Sequence, residues 1–410
     1  MTHTHTRTSC AALDAADPLA GLRAEFALPA GVLYLDGNSL GALPRATSER
    51  VRRMVEQEWG EGLIRSWNEA GWYELPQGLG ERLAPLLGAA PGQVVVCDST
   101  SVNLFKVLGA ALRLRPGRPT VLAERSAFPT DLYIAQGVTS LFDGVEPTLL
   151  PSAADLDRLL DDRVAVVVLS HVDYRTGELL DMAAITERVH RAGALMIWDV
   201  CHSAGAMPVE FDRCQVDFAV GCSYKYLNGG PGGPAFLYAA ERHQAAARQP
   251  LSGWFGHARP FAFEPGYEPT EGIRRFLTGT PPLLGMAALE ASLDVWEKVD
   301  LPAVRAKSLA LSSLFLELVE PLGLPTVTPL EPARRGSQVS LRHPDGYAVM
   351  QALIARGVIG DFRAPDLLRF GFTPLYLSYT DVWDAARQLA EVLESGEWRE
   401  DRFSCRGAVT

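Results

Sequence analysis

Lys225 lies in Ser223-Tyr224-Lys225-Tyr226, between the apolar run 218–220 and the glycine-dense Gly229-Gly230-Pro231-Gly232-Gly233. An amine in so apolar a stretch does not read as a solvated surface charge. Burial lowers a lysine pKa and frees the nitrogen for Schiff-base chemistry. Asp199 stands 26 positions upstream, ending the apolar run 195–198, with His202 three residues on. A carboxylate at the end of a buried strand needs a partner. A protonated pyridine nitrogen would serve, because an acid–pyridinium pair keeps a pyridoxal phosphate (PLP) ring an effective electron sink. The bland alternatives are a helix cap for Asp199 and an ordinary packed histidine for His202. No metal site is expected, since no third ligand has suitable spacing. A strand-end lysine taken singly is usually structural; the acid-ended strand before it changes those odds.

Two further clusters follow apolar runs. Asp98-Ser99-Thr100-Ser101 opens a helical pattern, and hydroxyls with free N–H groups at a helix N-terminus form an anion site. Simple N-capping is the alternative. Phe128-Pro129-Thr130-Asp131 combines an aromatic that can stack on a planar ring with two polar side chains. It is also a good helix start, with proline near the first position. The order of strand-end hydroxyls, aromatic, acid and lysine makes the four clusters stronger together than singly.

These residues need a scaffold that brings strand ends together. β-rich runs occur at 93–97, 120–123, 164–169, 195–198, 218–220 and 235–238, with helical patterns such as 102–114 and 183–192 between them. Most runs are nearly all apolar, as in strands buried on both faces. The alternation predicts an α/β fold with a mostly parallel sheet covered on both sides. Ligands of such sheets sit at the carboxyl ends of the strands, where the four clusters fall. After Pro281-Pro282 come helical patterns at 283–298 and 302–319, short strands near 338–342 and 367–372, and a last helix near 380–394. This part reads as a smaller α+β domain. The expected division is an N-terminal segment 1–50 packed with the small domain, a large cofactor-binding domain 51–282, and a small domain 283–410. The turn-rich Asp36-Gly37-Asn38-Ser39-Leu40-Gly41 suits close backbone approach to a ligand or another chain.

The bulk numbers narrow the class. A chain of 410 residues, 47% hydrophobic and 21% charged, is a globular protein too long for one ordinary core. No apolar run reaches the roughly 18 residues that span a bilayer, and a net charge of −11 argues against a nucleic-acid partner. Six cysteines without a CxxC pair fit a reducing cytoplasm. The start MTHTHTRTSC lacks the apolar core of a signal peptide and is expected to be a disordered polar tail, weak metal binding by His3 and His5 being the lesser reading.

The wording of the motifs resembles the kynureninase family of fold type I PLP enzymes. The likeness runs from Asp36-Gly37-Asn38-Ser39-Leu40-Gly41 to Arg369. It takes in Ser101-Val102-Asn103-Leu104, Phe128-Pro129-Thr130-Asp131, Ser170-His171-Val172-Asp173-Tyr174, Trp198-Asp199-Val200-Cys201-His202, Tyr224-Lys225-Tyr226-Leu227-Asn228 and Thr280-Pro281-Pro282. Gly253-Trp254-Phe255-Gly256-His257 is the most specific of them. The resemblance implies a large domain with a seven-stranded-type sheet, a smaller α+β domain, and hydrolytic Cβ–Cγ cleavage of L-kynurenine to anthranilate and L-alanine. It implies that Lys225 carries the PLP and moves the Cα proton, that Asp199 pairs with the pyridine nitrogen, and that Phe128 stacks on the ring. Pro129, Thr130, Asp131, Ser170 and His202 would lie near the cofactor, and Thr100, Ser101 and Tyr224 would hold its phosphate, Tyr224 also serving as an acid. Trp254 and Thr280 would reach the phosphate of a neighbouring subunit, which makes the expected unit a homodimer. Arg369 would take the substrate carboxylate through two parallel hydrogen bonds. Gly279-Thr280 looks like the bacterial, kynurenine-preferring type, and Trp67 or Trp72 is placed to wall the aryl pocket, a core tryptophan being the alternative. The rival within the fold is a cysteine desulfurase or class V aminotransferase, for which Cys405 is the late-chain nucleophile. A non-catalytic PLP-binding regulator would lack the lysine or add a basic DNA-binding segment.

Overall fold

A computed structural model describes residues 5–407. Its twelve strands are β1 (Leu33–Tyr34), β2 (Val94–Val96), β3 (Thr120–Glu124), β4 (Glu146–Leu150), β5 (Val164–Ser170), β6 (Leu195–Asp199), β7 (Phe218–Gly221), β8 (Phe236–Ala239), β9 (Gln338–Arg342), β10 (Val358–Ile359), β11 (Asp361–Arg363) and β12 (Leu367–Gly371). Seven of them form one sheet in the order β2-β8-β7-β6-β5-β3-β4. All neighbours pair in parallel except those of β8, which runs against both β2 and β7. The parallel α/β expectation therefore holds.

Strand β5 shows why these residues build a central strand. Val164 to Leu169 are all buried, and β3 and β6 flank the strand. Successive side chains alternate between faces. Val167 and Leu169 join Met196 and Trp198 on one side, under Ile185 and Val189 of helix Met182–Arg191, whose Thr186 accepts from the Trp198 indole. Val166 and Val168 join Leu195 and Ile197 on the other, under Leu104, Val107 and Leu108 of helix Thr100–Leu114. Fully burying each such side chain stabilises by about 1.5–3 kcal/mol.

Four strands escape the sequence pattern, the two-residue β1 and β10 and the strands β4 and β11. β4 is the edge strand, carries Pro147 and has an exposed first residue. Its sequence therefore lacks the apolar run that marks its neighbours. β11 is three residues long with a charge at each end, and its ladder with β12 defines it. β11, β12 and β9 make a separate antiparallel sheet.

The expected disordered start is corrected as well. Residues Arg7–Ala16 form a helix with a capping box between Thr6 and Ser9, and the His5 imidazole lies 3.3 Å from Glu317. His3 lies outside the described residues. The helix is held by Arg7, whose Nε and Nη2 donate to Asp384 at 2.9 and 3.0 Å. β1 pairs with β10, so the chain start is tied to elements near its end. Asp14 closes this link. Its carboxylate accepts from Tyr379 N at 2.6 Å, Thr380 N at 3.1 Å and Thr380 Oγ1 at 2.7 Å, at the first turn of helix Tyr379–Ser395. An anion there satisfies orphan N–H groups and opposes the helix dipole. Asp14→Ala is expected to lower stability by about 1–2 kcal/mol, read as a shift of the urea unfolding midpoint with activity per folded molecule retained. An unchanged midpoint would show that the link carries no stability.

Candidate active site

The carboxyl ends of β2, β3, β5, β6 and β7 open on one side of the sheet, and their following loops enclose a cavity of about 350 Å³. Thr100, Ser101, Phe128, Thr130, Asp131, Ser170, Asp199, His202, Tyr224, Lys225 and Arg369 all line it. Eleven of the fourteen sequence candidates thus meet in one place. Pro129 is exposed and begins helix Pro129–Thr139 without lining the cavity. Trp254 and Thr280 are also exposed and lie outside this lining. Trp67 and Trp72 do not wall the cavity either. They pack edge-on at 5.9 Å, and Trp67 lies against Trp254 and Phe255. The Trp72 indole donates to Glu58 at 2.8 Å.

Each side chain is aimed by its local structure. Ser99 caps helix Thr100–Leu114 by accepting from Val102 N, which leaves the first-turn N–H groups and the hydroxyls of Thr100 and Ser101 at the cavity. Asp98 before it adopts a left-handed φ of 48°. It is held by Lys106, a wholly buried ammonium 2.6 Å from its carboxylate and 2.7 Å from the Phe276 carbonyl. Ser101 and Thr130 hydroxyls are 3.0 Å apart. Ser170 and Asp199 are register partners at the ends of β5 and β6. The Phe128 ring packs perpendicular to Tyr174 at 5.2 Å and is partly exposed at the cavity. The turn containing Asn38 packs against the Lys225 loop, Gly41 N donating to Tyr224 O at 2.7 Å. A Cβ at Gly41 would lie 2.3 Å from Lys225 O, so glycine is required there.

The electrostatics divide the cavity. Among the described residues the Asp199 carboxylate accepts one hydrogen bond, from Cys201 N at 2.8 Å. Asp131 is buried beside it, with neither oxygen partnered. Burial, then the charge of Asp199, pushes the Asp131 carboxyl well above the usual range, with Lys225 opposing. Lys225 Nζ lies 2.9 Å from His202 Nε2. Burial, then the charges of Lys225 and Arg369, keeps His202 well below its usual pKa. The neutral ring therefore accepts from Lys225 at Nε2 and carries its proton on Nδ1. Two buried acids facing one ammonium leave this wall short of a donor, and a protonated ring nitrogen is the group that fits.

The far wall carries Arg369, which is fully buried. Its Nε donates to Asp361 Oδ1 at 2.6 Å and its Nη2 to Asp361 Oδ2, across the β11–β12 ladder. Arg363 adds a contact to Asp361 at 2.9 Å. Asp361 and Arg363 had no signal in sequence, because both lie on the three-residue β11. Lys106 was hidden within a helical pattern. Elsewhere, a more open groove of about 1120 Å³ is lined by charges that are already matched, Arg23 with Asp381 and Arg356 with Glu391.

A mostly parallel seven-stranded sheet with an acid ending β6 and a lysine after β7 is the arrangement of fold type I PLP-dependent enzymes. Solved structures agree on the fold. An apo cysteine desulfurase from Thermococcus onnurineus NA1 superposes with a TM-score of 0.77 at 20% identity, over 92% of this chain and 98% of that chain. A mutant of C-DES with glycine covalently linked to its PLP cofactor gives 0.78 at 22%, over 90% and 98%. At these identities the likeness is one of fold alone. The family model for the kynureninase C-terminal domain matches residues 304–389. A kynureninase of Burkholderia pseudomallei strain K96243 is 56% identical over 416 residues, covering 99% of this chain and 100% of its own length. One from Pseudomonas fluorescens is 53% identical over 414 residues, with the same coverage. The chain belongs to the kynureninase family. The desulfurase and aminotransferase alternatives are not favoured, exposed Cys405 notwithstanding.

The raised Asp131 has a consequence for stability. Without cofactor, the native protein holds a proton there that the unfolded chain releases near pH ~3.9. Stability of the cofactor-free protein should thus fall as pH rises from that value toward neutrality. Asp131→Asn is expected to flatten the decline in urea titrations across this range. A slope identical to that of the parent would refute the assignment.

Proposed function

We propose that this chain is a PLP-dependent hydrolase that cleaves the Cβ–Cγ bond of L-kynurenine to give anthranilate and L-alanine. The observation that carries the reading is one cavity with a lysine and two carboxylates on one wall and a buried arginine on the other. Full-length relatives named kynureninase support it.

When bound, PLP supplies an aldehyde that condenses with amines and a ring that draws electrons from the adjacent carbon. Lys225 Nζ would hold it and, once displaced by the substrate amine, act as the base that takes the Cα proton. His202, neutral and 2.9 Å away, orients that amine without competing for its charge. Asp199 would keep the proton on the pyridine nitrogen, with Asp131 beside it. Phe128 would cover one ring face, with Thr130 and Ser170 at its edge. Thr100 and Ser101, at the positive end of their helix, would bind the phosphate together with Tyr224. Burial, then neighbouring Cys222, raises the Tyr224 phenol above its ordinary range. Tyr224 thus keeps its proton and could deliver it to the Cβ left by Cβ–Cγ cleavage. Arg369 would take the substrate α-carboxylate.

Trp254 and Thr280, exposed outside their own cavity, would reach the phosphate site of a second copy. A homodimer is the working unit on this reading. No helix among the described residues is long and apolar enough to cross a membrane, and six free thiols suit a cytoplasmic location.

Anthranilate fluorescence on addition of L-kynurenine tests the reaction, with sulfide release from cysteine as the contrasting assay. Lys225→Ala is expected to lower turnover by at least ~10³-fold and to abolish the absorbance band near ~420 nm that borohydride removes from the parent. Turnover at the parental rate in that variant would refute the reading.

A further inference from the structure

The hydrogen bonds of Arg369 leave a carboxylate one donor short. A guanidinium has five N–H donors. In this chain Nε donates to Asp361 at 2.6 Å, Nη2 to Asp361 and to Ser39 Oγ at 3.1 Å, and Nη1 to the Tyr174 carbonyl. One Nη1 hydrogen remains. Ser39 cannot supply a second donor, because its hydroxyl already donates to Asp361 Oδ2 at 2.7 Å. The sideways fork that would clamp a carboxylate is occupied by Asp361, and the two-pronged grip expected from sequence is not available from Arg369 alone.

Asn38 precedes Ser39, whose hydroxyl accepts from Arg369 Nη2. It lines the same cavity, is fully buried, and among the described residues neither its Nδ2 nor its Oδ1 has a partner. Its backbone is fixed by the turn that ties Leu35 O to Gly371 N at 2.6 Å. Gly371 follows Arg369 by two positions on β12 and so faces the same way. A Cβ at Gly371 would fall 2.1 Å from Asn38 Oδ1, so the strand has no side chain where Asn38 sits. An unpartnered buried amide costs stability unless a ligand satisfies it.

We propose that Asn38 is a specificity-determining residue whose side-chain amide donates to the second oxygen of the substrate α-carboxylate, the first being held by Arg369 Nη1. The inference rests on the reading that Arg369 takes the carboxylate. It makes the carboxylate site a shared product of the N-terminal turn and β12, with Asp361 fixing which edge of Arg369 is presented.

The test uses the PLP-loaded enzyme. Steady-state kinetics with L-kynurenine give kcat and KM, and cofactor absorbance gives the Kd of L-alanine and of L-alaninamide, which lacks the carboxylate. Asn38→Ala should raise KM and the L-alanine Kd by about ten-fold or more, with a smaller effect on kcat and on the binding of alaninamide, which keeps one acceptor oxygen but no charge. Asn38→Asp, of nearly the same volume, should weaken L-alanine further by charge repulsion while still binding alaninamide. Loss of alaninamide binding in both variants would assign Asn38 to the cofactor site and overturn the proposal. So would Arg363→Ala raising KM while Asn38→Ala leaves it unchanged. Arg369→Lys separates the levels. If KM responds to Arg369 but not to Asn38, this inference alone fails; if KM ignores Arg369, the underlying reading fails with it.

Discussion

Two acids are buried side by side at the end of a parallel sheet, and the architecture around them follows from that charge. With both ionised, Asp131 and Asp199 would repel each other severely in a low-dielectric site without a cation, and Asp131 therefore tends to keep its proton. The protein places Lys225 opposite them, keeps His202 neutral, and leaves the Asp131 oxygens without a protein donor. Such a wall is poised for a cationic ring. Parallel strands make it possible, because β5, β6 and β7 all deliver their following loops to one side.

The opposite wall solves a related problem with a different result. Arg369 is as buried as the acids, yet it is matched within the protein by Asp361 across a ladder of two short strands. Burial lifts the Asp361 carboxyl, but hydrogen bonds and charge from Arg369 outweigh it and hold the group below the usual carboxylate range. Asp36, a step behind, is pushed up to about 7 by burial and by Asp361. The fixed arginine gains precision at the expense of donors, and the surrounding turn must make up the difference. On the proposed reading, a substrate with an amine at one end and a carboxylate near it would be oriented by these two walls before any bond breaks.

One short segment touches both walls. The turn from Asp36 to Gly41 hydrogen-bonds to the Lys225 loop through Gly41 and to β12 through the preceding Leu35. Displacement of this turn would therefore disturb lysine and arginine together. The N-terminal helix, β1 and the Asp14 cap hold its chain in place from outside. An apparently peripheral chain start thus acts on the geometry of the cavity.

The local sequence alone determined the alternation of buried strands and helices, the strand ends that bear Thr100, Phe128, Asp199 and Lys225, and the family likeness. These are legible because apolar periodicity and short motifs are contained within a few neighbouring residues. The Glu146–Leu150 edge strand and β11 were not, since their identity comes from partners distant in sequence. For the same reason the roles of Asp361, Lys106 and Asn38 emerged only in three dimensions. Each depends on which groups burial brings within hydrogen-bond reach. Trp67 and Trp72 make the point in reverse, as residue type suggested a pocket wall and packing put them in an aromatic cluster instead. Residue type states what a side chain can do; only the folded chain decides which of its donors and acceptors are left free to do it.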